Sequence, residues 1–208
     1  MDFQIFLSKL EHVKQKKLGG LEAQFQLAPE MRLKYNAEKI AAKNPKKAAV
    51  LALFFPNEFN ETCFLLTERA RYAGTHSAQI SFPGGKIDAT DKNLQETALR
   101  ETFEEVGISM NNIEIVREIT DVYIPPSNFL ATPFIGFSHS KNNYVLNYEV
   151  ASTIEVPLSD LLNDSNITSI NLSTSYAKDI EVPCFNLKNK IVWGATAMIL
   201  NEIKELLK

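Results

Sequence analysis

The chain has 208 residues, 45% hydrophobic and 23% charged, and its 22 Lys and Arg against 25 Asp and Glu leave a formal net charge of −3. This is ordinary globular composition, long enough for one domain with terminal extensions, and the slight acidity argues against a polybasic reader of nucleic acid or of anionic membrane surfaces. Two cysteines, Cys63 and Cys184, each in an apolar run, are too few for a disulfide framework or a zinc site and read as buried free thiols in a reducing compartment.

The N-terminal MDFQIFLSKLEH carries an acid at position 2 and no cationic region, so it makes a poor signal peptide. The longest apolar run, Ala48 to Phe55, is too short to span a bilayer, and a soluble cytoplasmic protein is expected. Residues 2–16 predict an amphipathic helix with Phe3, Phe6, Leu7, Leu10 and Val13 on one face, packed on the domain or on a second subunit. Residues 17–47, with KLGG and the basic KNPKK, read as an extended arm wrapping a core domain of residues 48–208. AAVLALFF (48–55) and TCFLLTER (62–69) predict two strands joined as a hairpin through PNEFNE. A glycine-rich stretch and a helix over 92–106 follow. Further strands are expected at 113–124, broken by PPSN (125–128), then at 129–137, 144–156 and 181–187. VPLSDLL closes in a short helix, and residues 195–207 form a last amphipathic one. Strands interleaved with helices, without regular βαβ alternation, predict an α/β fold with a mixed sheet.

The chemistry concentrates in GGKIDATDKNLQETALRETFEEVGI. On a wheel of about 100° per residue, Leu99, Phe103 and Val106 share one face, expected to pack on the sheet, while Glu101, Glu104 and Glu105 cluster opposite as one acidic patch. Arg100 lies one turn from both Glu96 and Glu104 and can pair with either, and Gly107 stops the helix. A solvated acidic face is the plain alternative. Against it, acids near a helix C-terminus oppose the macrodipole, and Phe82-Pro83-Gly84-Gly85 supplies a turn whose main-chain carbonyls can approach a cation. Carboxylates with a backbone carbonyl are hard oxygen donors suited to Mg²⁺ or Mn²⁺.

Gly85 followed by Arg100-Glu101-Thr102-Phe103-Glu104-Glu105-Val106-Gly107-Ile108 resembles the Nudix box, G-x5-E-x7-R-E-U-x-E-E-x-G-U. The second half matches at every defined position. In the first half Asp91 stands for the first glutamate, with one extra residue before Arg100, an expansion that resembles the coenzyme A pyrophosphatase branch. Leu65 to Ala70, His76 and Ile80 to Gly85 resemble that branch's upstream motif, LLTxR[SA]…HxGxVxFPGG, with Ala78 where a glycine is expected. YIPPSNFLATPFIGF, NYEVASTIEVPLSDLL and IVWGATAMIL resemble the branch as well, so the similarity covers roughly residues 2–207.

The resemblance implies a Nudix-like α/β/α sandwich and hydrolysis of a nucleoside diphosphate linked to another group. Glu101, Glu104, Glu105 and the Gly85 carbonyl would ligate Mg²⁺ or Mn²⁺, and Arg100 would orient the glutamates rather than touch substrate. Hydrolysis needs a base, for which Glu101 and Glu149 are the candidates; a plain surface acid is the alternative for Glu149. Arg69 and Lys86 are candidate phosphate partners or exposed structural cations, and His76 is a positioning residue. PPSN is either a pocket wall or a plain turn, and Trp193 is expected in the core. The branch motifs imply coenzyme A or acyl-CoA, cut to 3′-phosphoadenosine 5′-phosphate and (acyl-)4′-phosphopantetheine. Other nucleoside diphosphate substrates such as ADP-ribose, and a catalytically silent nucleotide-binding module, are the alternatives. The N-terminal helix leaves a homodimer open.

Overall fold

The computed structural model describes residues 1–70, 79–174 and 177–208. His76 and Ala78 therefore lie outside the described residues. Helix α1 (Phe3–Gln15) is capped by Asp2, whose carboxylate accepts from the Gln4 and Ile5 amides, and it buries Phe3, Phe6, Leu10 and Val13 as predicted. Residues 17–47 depart from an extended arm. They form α2 (Gly20–Phe25), a 3₁₀ turn (Glu30–Arg32) and α3 (Ala37–Ala41). Too short to show periodicity, these turns are held by tertiary bonds. Glu202, fully buried, accepts from the Gly20 amide (3.0 Å), Gln24 Nε2 (2.9 Å) and Thr120 Oγ1 (2.6 Å). Glu202→Ala would strand three donors, and a loss of roughly 3 kcal/mol is expected. Urea unfolding measures it, and a change below about 1 kcal/mol would show that the arm is anchored elsewhere.

The central sheet is mixed. Strand β1 (Lys46–Pro56) pairs in parallel with β7 (Phe129–Phe137) over nine positions and antiparallel with β2 (Thr62–Arg69) over only three, Phe54 to Pro56. Beyond that hairpin β1 and β2 diverge. The chain from Ile80 to Lys86 fills the gap: β3 (Ile80–Ser81) pairs with β2, and β4 (Gly84–Lys86) pairs with β1. Both faces of β1 are buried, which is why it reads as a continuous apolar run rather than an alternating one. Ala49, Leu51, Leu53 and Phe55 pack toward α4 (Leu94–Val106), while Ala52 and Phe54 pack in the cluster that contains α1 and α6 (Gly194–Leu207). The result is the α/β/α sandwich expected.

The predicted strand over 113–124 splits into β5 (Glu114–Glu118) and β6 (Val122–Ile124), both on β7. Pro133 of β7 has no N–H to offer; only its carbonyl bonds across, to the Ile119 amide at 2.9 Å. The strand expected at 144–156 shortens to β8 (Val150–Pro157). Residues 144–149 spend their amides on the end of α4 instead, with Val145 donating to the Val106 carbonyl and Asn147 to the Glu105 carbonyl. After α5 (Leu158–Leu162), a separate antiparallel sheet has the order β9 (Ile167–Thr174), β10 (Ala177–Leu187) and β11 (Lys190–Trp193), of which only part of β10 was legible. Cys63 and Cys184 are buried and free, and burial pushes the Cys63 thiol up to about 11. Among the described residues no helix is long and apolar enough to cross a membrane.

Candidate functional site

The site forms where β1 and β2 part. Gly84 has φ 149°, and a Cβ there would meet the Ala49 carbonyl oxygen at 2.3 Å, so only glycine lets β4 lie against β1. A Cβ on Gly85 would meet the Glu101 carboxylate at 2.5 Å. The glycines thus bring the β4 backbone directly onto the carboxylates of α4.

Helix α4 is rotated from the wheel reading. Ala98, Thr102, Glu105 and Val106 are buried, and Phe103 is 52% exposed. Placing Phe103 on the sheet would turn Glu105 outward; the fold takes the opposite choice and buries a carboxylate. The three glutamates are consequently graded in exposure rather than forming one surface patch: Glu105 side chain 5%, Glu101 18%, Glu104 50%. Glu105 Oε2 accepts from the Gly84 amide at 3.1 Å, and its Oε1 is 3.7 Å from Arg69 Nη1. Burial pushes its pKa up to about 7, against the Gly84 bond and the Arg69 charge, with Glu101 and Glu149 pushing the same way as burial. Burial also raises the Glu101 carboxyl, against Arg100, with Glu104 and Glu149 adding repulsion.

Arg100 uses all five of its N–H donors. Nε and Nη2 clamp Asp91 at 2.8 and 2.9 Å. Nη1 reaches Glu101 and Glu104, both at 3.0 Å, and Nη2 also donates to the Lys86 carbonyl at 3.1 Å. Of the two glutamates one turn away, Arg100 takes Glu104; Glu96 caps the helix start by accepting from the Lys92 amide. Asp91 also accepts from Thr97 Oγ1 and the Asp88 amide, and the Arg100 fork holds its carboxyl well below the usual carboxylate range. A saturated guanidinium braces the helix against the glycine turn and has no donor left for a ligand.

Glu149 arrives from the segment strapped over the end of α4. Its Oε2 is 3.2 Å from Arg69 Nη2, and its carbonyl accepts from the Ala70 amide at 2.7 Å. Arg69, Lys86, Gly85, Glu101, Glu105 and Glu149 all line one cleft of about 480 Å³, a size suited to a small-molecule ligand. Pro126 and Ser127 of the PPSN turn, Phe129, Arg32 of the arm and Trp193 line the same cleft. Trp193 is therefore a half-buried wall of the cleft rather than core. Glu104 does not line the cleft as the side chains stand, and His76 falls outside the described residues. Sequence reasoning missed Arg32 and the wall position of Trp193; neither carries a local signal, because long-range packing brings both to the cleft.

Among the described residues no three acidic, histidine or cysteine side chains are drawn together into a ready-made metal group, since Arg100 spans Glu101 and Glu104. The donor set nevertheless suits a hard divalent cation. Two carboxylates are desolvated with raised pKa, a state that a cation relieves, and the missing Cβ of Gly85 keeps backbone and carboxylate oxygens in reach of one another.

A NUDIX domain family model matches residues 45–164. The chain is 34% identical over 165 residues to "Uncharacterized Nudix hydrolase NudL" of Enterobacter sp. (strain 638), covering 77% of this chain and 82% of that one. It is 32% identical over 146 residues to the protein of the same name from Yersinia pestis (strain Pestoides F), covering 70% and 72%. Among solved structures, a MutT/nudix family protein from Enterococcus faecalis superposes with a TM-score of 0.52 at 17% identity, over 83% of this chain and 69% of that chain, which shows a shared fold.

Proposed function

The chain belongs to the Nudix hydrolase family, and from that premise we propose that it hydrolyses the pyrophosphate bond of coenzyme A or an acyl-CoA. The supporting observation is one of placement. Arg69, Ile80, Ser81, Phe82, Gly84 and Gly85, from the segments that resemble the coenzyme A branch motif, line the same cleft as Glu101 and Glu105 of the box. Motif and box thus meet in space, although separated in sequence.

Glu101, Glu104, Glu105 and the Gly85 carbonyl would hold Mg²⁺ or Mn²⁺, with Glu104 swinging in from its exposed position. When bound, the cation supplies neutralisation of the pyrophosphate's negative charge and acidifies an attacking water. Arg100 orients Glu101, and would release Glu104 to the cation. Arg69 grips a phosphate of the diphosphate, and Lys86 neutralises another. As Arg69 turns to the phosphate it releases Glu149, whose carboxylate then accepts the proton of the water. Glu149 suits this role better than Glu101, which is committed to Arg100 and to the cation.

The test is incubation of free coenzyme A with Mg²⁺ or Mn²⁺, with products separated by chromatography and Glu104→Gln as control. Appearance of 3′-phosphoadenosine 5′-phosphate, lost in the variant, is expected. Intact coenzyme A alongside cleaved ADP-ribose or a dinucleotide would move the substrate assignment and leave the reaction class. If no pyrophosphate is cut under either metal, the silent binding module takes its place.

A further inference from the structure

Resting on the reading of Glu149 as the base, we propose that Asn147 is a positioning residue for the hydrolysis, whose side chain fixes Glu149 at a set reach from the box carboxylates. Asn147 lies in the strap over the end of α4 and bonds to both sides of the site. Its amide donates to the Glu105 carbonyl at 3.1 Å, one of the C-terminal carbonyls that a helix leaves without an internal partner. Its Oδ1 accepts from the Glu149 amide at 2.9 Å, which closes an Asx turn. The Asn147 carbonyl accepts from the Val150 amide at 3.4 Å, so Glu149 occupies the third position of a β-turn whose first residue is anchored on α4. Glu149 is thus held on both sides of its own backbone, by Asn147 at its amide and by the Ala70 amide at its carbonyl.

Packing contributes little to this placement. Val145, Leu146 and Tyr148 are exposed and the Glu149 side chain is partly so, which leaves the strap few buried apolar contacts to fix it. Local hydrogen bonds therefore decide where the Glu149 carboxylate stands. Their importance grows when the base changes partner. Glu149 Oε2 is 3.2 Å from Arg69 Nη2, and to accept a proton from water the carboxylate must leave that ion pair. With the backbone bonded on either side, only the side chain moves. Without the Asn147 acceptor the turn itself is loosened, and a misplacement of about 1 Å costs on the order of 10²-fold in rate.

The experiment uses the full chain with Mg²⁺ and coenzyme A, or ADP-ribose where that is the pyrophosphate cut. Asn147→Ala removes the Oδ1 acceptor and keeps the backbone amide on Glu105. It should lower kcat about 30-fold and change KM under about 3-fold, because the phosphate partners Arg69 and Lys86 remain. Asn147→Asp keeps the acceptor and, at about pH 9 where the carboxyls are ionised, should return to within about 5-fold of the parent. Glu149→Gln should lower kcat about 10²-fold or more. Adding Asn147→Ala to it should cost under about 3-fold further, since a residue that acts through Glu149 then has nothing to position. Mn²⁺ affinity, titrated without substrate, should stay at the parent value, because the carboxylates of α4 are untouched. A merely structural turn would slow both backgrounds alike, or weaken Mn²⁺ binding together with turnover, and either result overturns the proposal. So does an Asn147→Ala protein with the parent's kcat, or an Asn147→Asp protein no faster than Asn147→Ala. If Asn147→Ala fails to fold, Asn147→Ser, a weaker acceptor in the same turn, takes its place in the comparison. Undiminished turnover in Glu149→Gln, or a chain that cuts no pyrophosphate, would instead bring down the reading of Glu149 as base and the role of Asn147 with it. A slow Glu149→Gln beside an additive Asn147→Ala removes Asn147 alone.

Discussion

Glu105→Gln is expected to lower turnover about 10³-fold or more while leaving the protein folded, and, without divalent cations, more stable than its parent at alkaline pH. The two effects share one cause. Glu105 is a carboxylate placed 4% exposed at the foot of the cleft, with the Gly84 amide as its hydrogen-bond donor and Arg69 at 3.7 Å. A glutamine keeps an acceptor for Gly84 and removes the charge. The sign follows from the raised pKa of about 7. A raised carboxyl contributes stability that is fully present below its ordinary value and lost as pH rises through about 7. Above that pH the ionised group weakens the metal-free fold by on the order of 3 kcal/mol. The variant should therefore melt higher than the parent at pH 8 in EDTA and nearly level with it at pH 5. Melting below the parent at pH 8 would show that Glu105 stabilises the fold as a charge. Unchanged turnover would remove it from the chemistry.

Such a residue explains where sequence reasoning stopped. The box acids and their arginine are contiguous, so their type and spacing were legible. The helix face was not, because hydrophobicity places Phe103 inward and Glu105 outward, and the fold reverses both. The reversal destabilises locally, which is expected of a functional site and opposed to what patterning assumes. Arg69 and Glu149 are 80 positions apart in sequence yet form an ion pair at 3.2 Å. Their types were suggestive, and only the splayed strands and the strap over α4 bring them together. Strands β1, β2 and β7 were readable because their apolar runs are continuous; β9, ITSINLST, is too polar to stand out. The arm helices, six and five residues long, fall below any periodic signal, and the first of them is fixed by Glu202 from the other end of the chain.

Asp91 is the residue whose loss should cost the most stability. Its side chain is 2% exposed and accepts four hydrogen bonds, two of them from the Arg100 fork. Asp91→Ala leaves a largely buried guanidinium facing a void, and breaking a buried pair from one side costs about 3–5 kcal/mol. Function should fall as well, because Arg100 would lose the anchor that fixes it while it holds Glu101 and Glu104. The pH dependence has the opposite sign to that of Glu105. The Asp91 carboxyl is depressed by Arg100, so its stabilisation is complete above the ordinary aspartate range and drains away as pH falls below it. Asp91→Asn keeps the size, loses the charge, and should flatten that acid limb while remaining weaker than the parent at neutral pH. Urea unfolding between about pH 3 and 7 measures both variants against the parent, across the range where an ordinary aspartate titrates. Parallel curves, offset by less than about 1 kcal/mol, would show that the Arg100 clamp is an exposed pair of little consequence and that the box helix is positioned by packing alone.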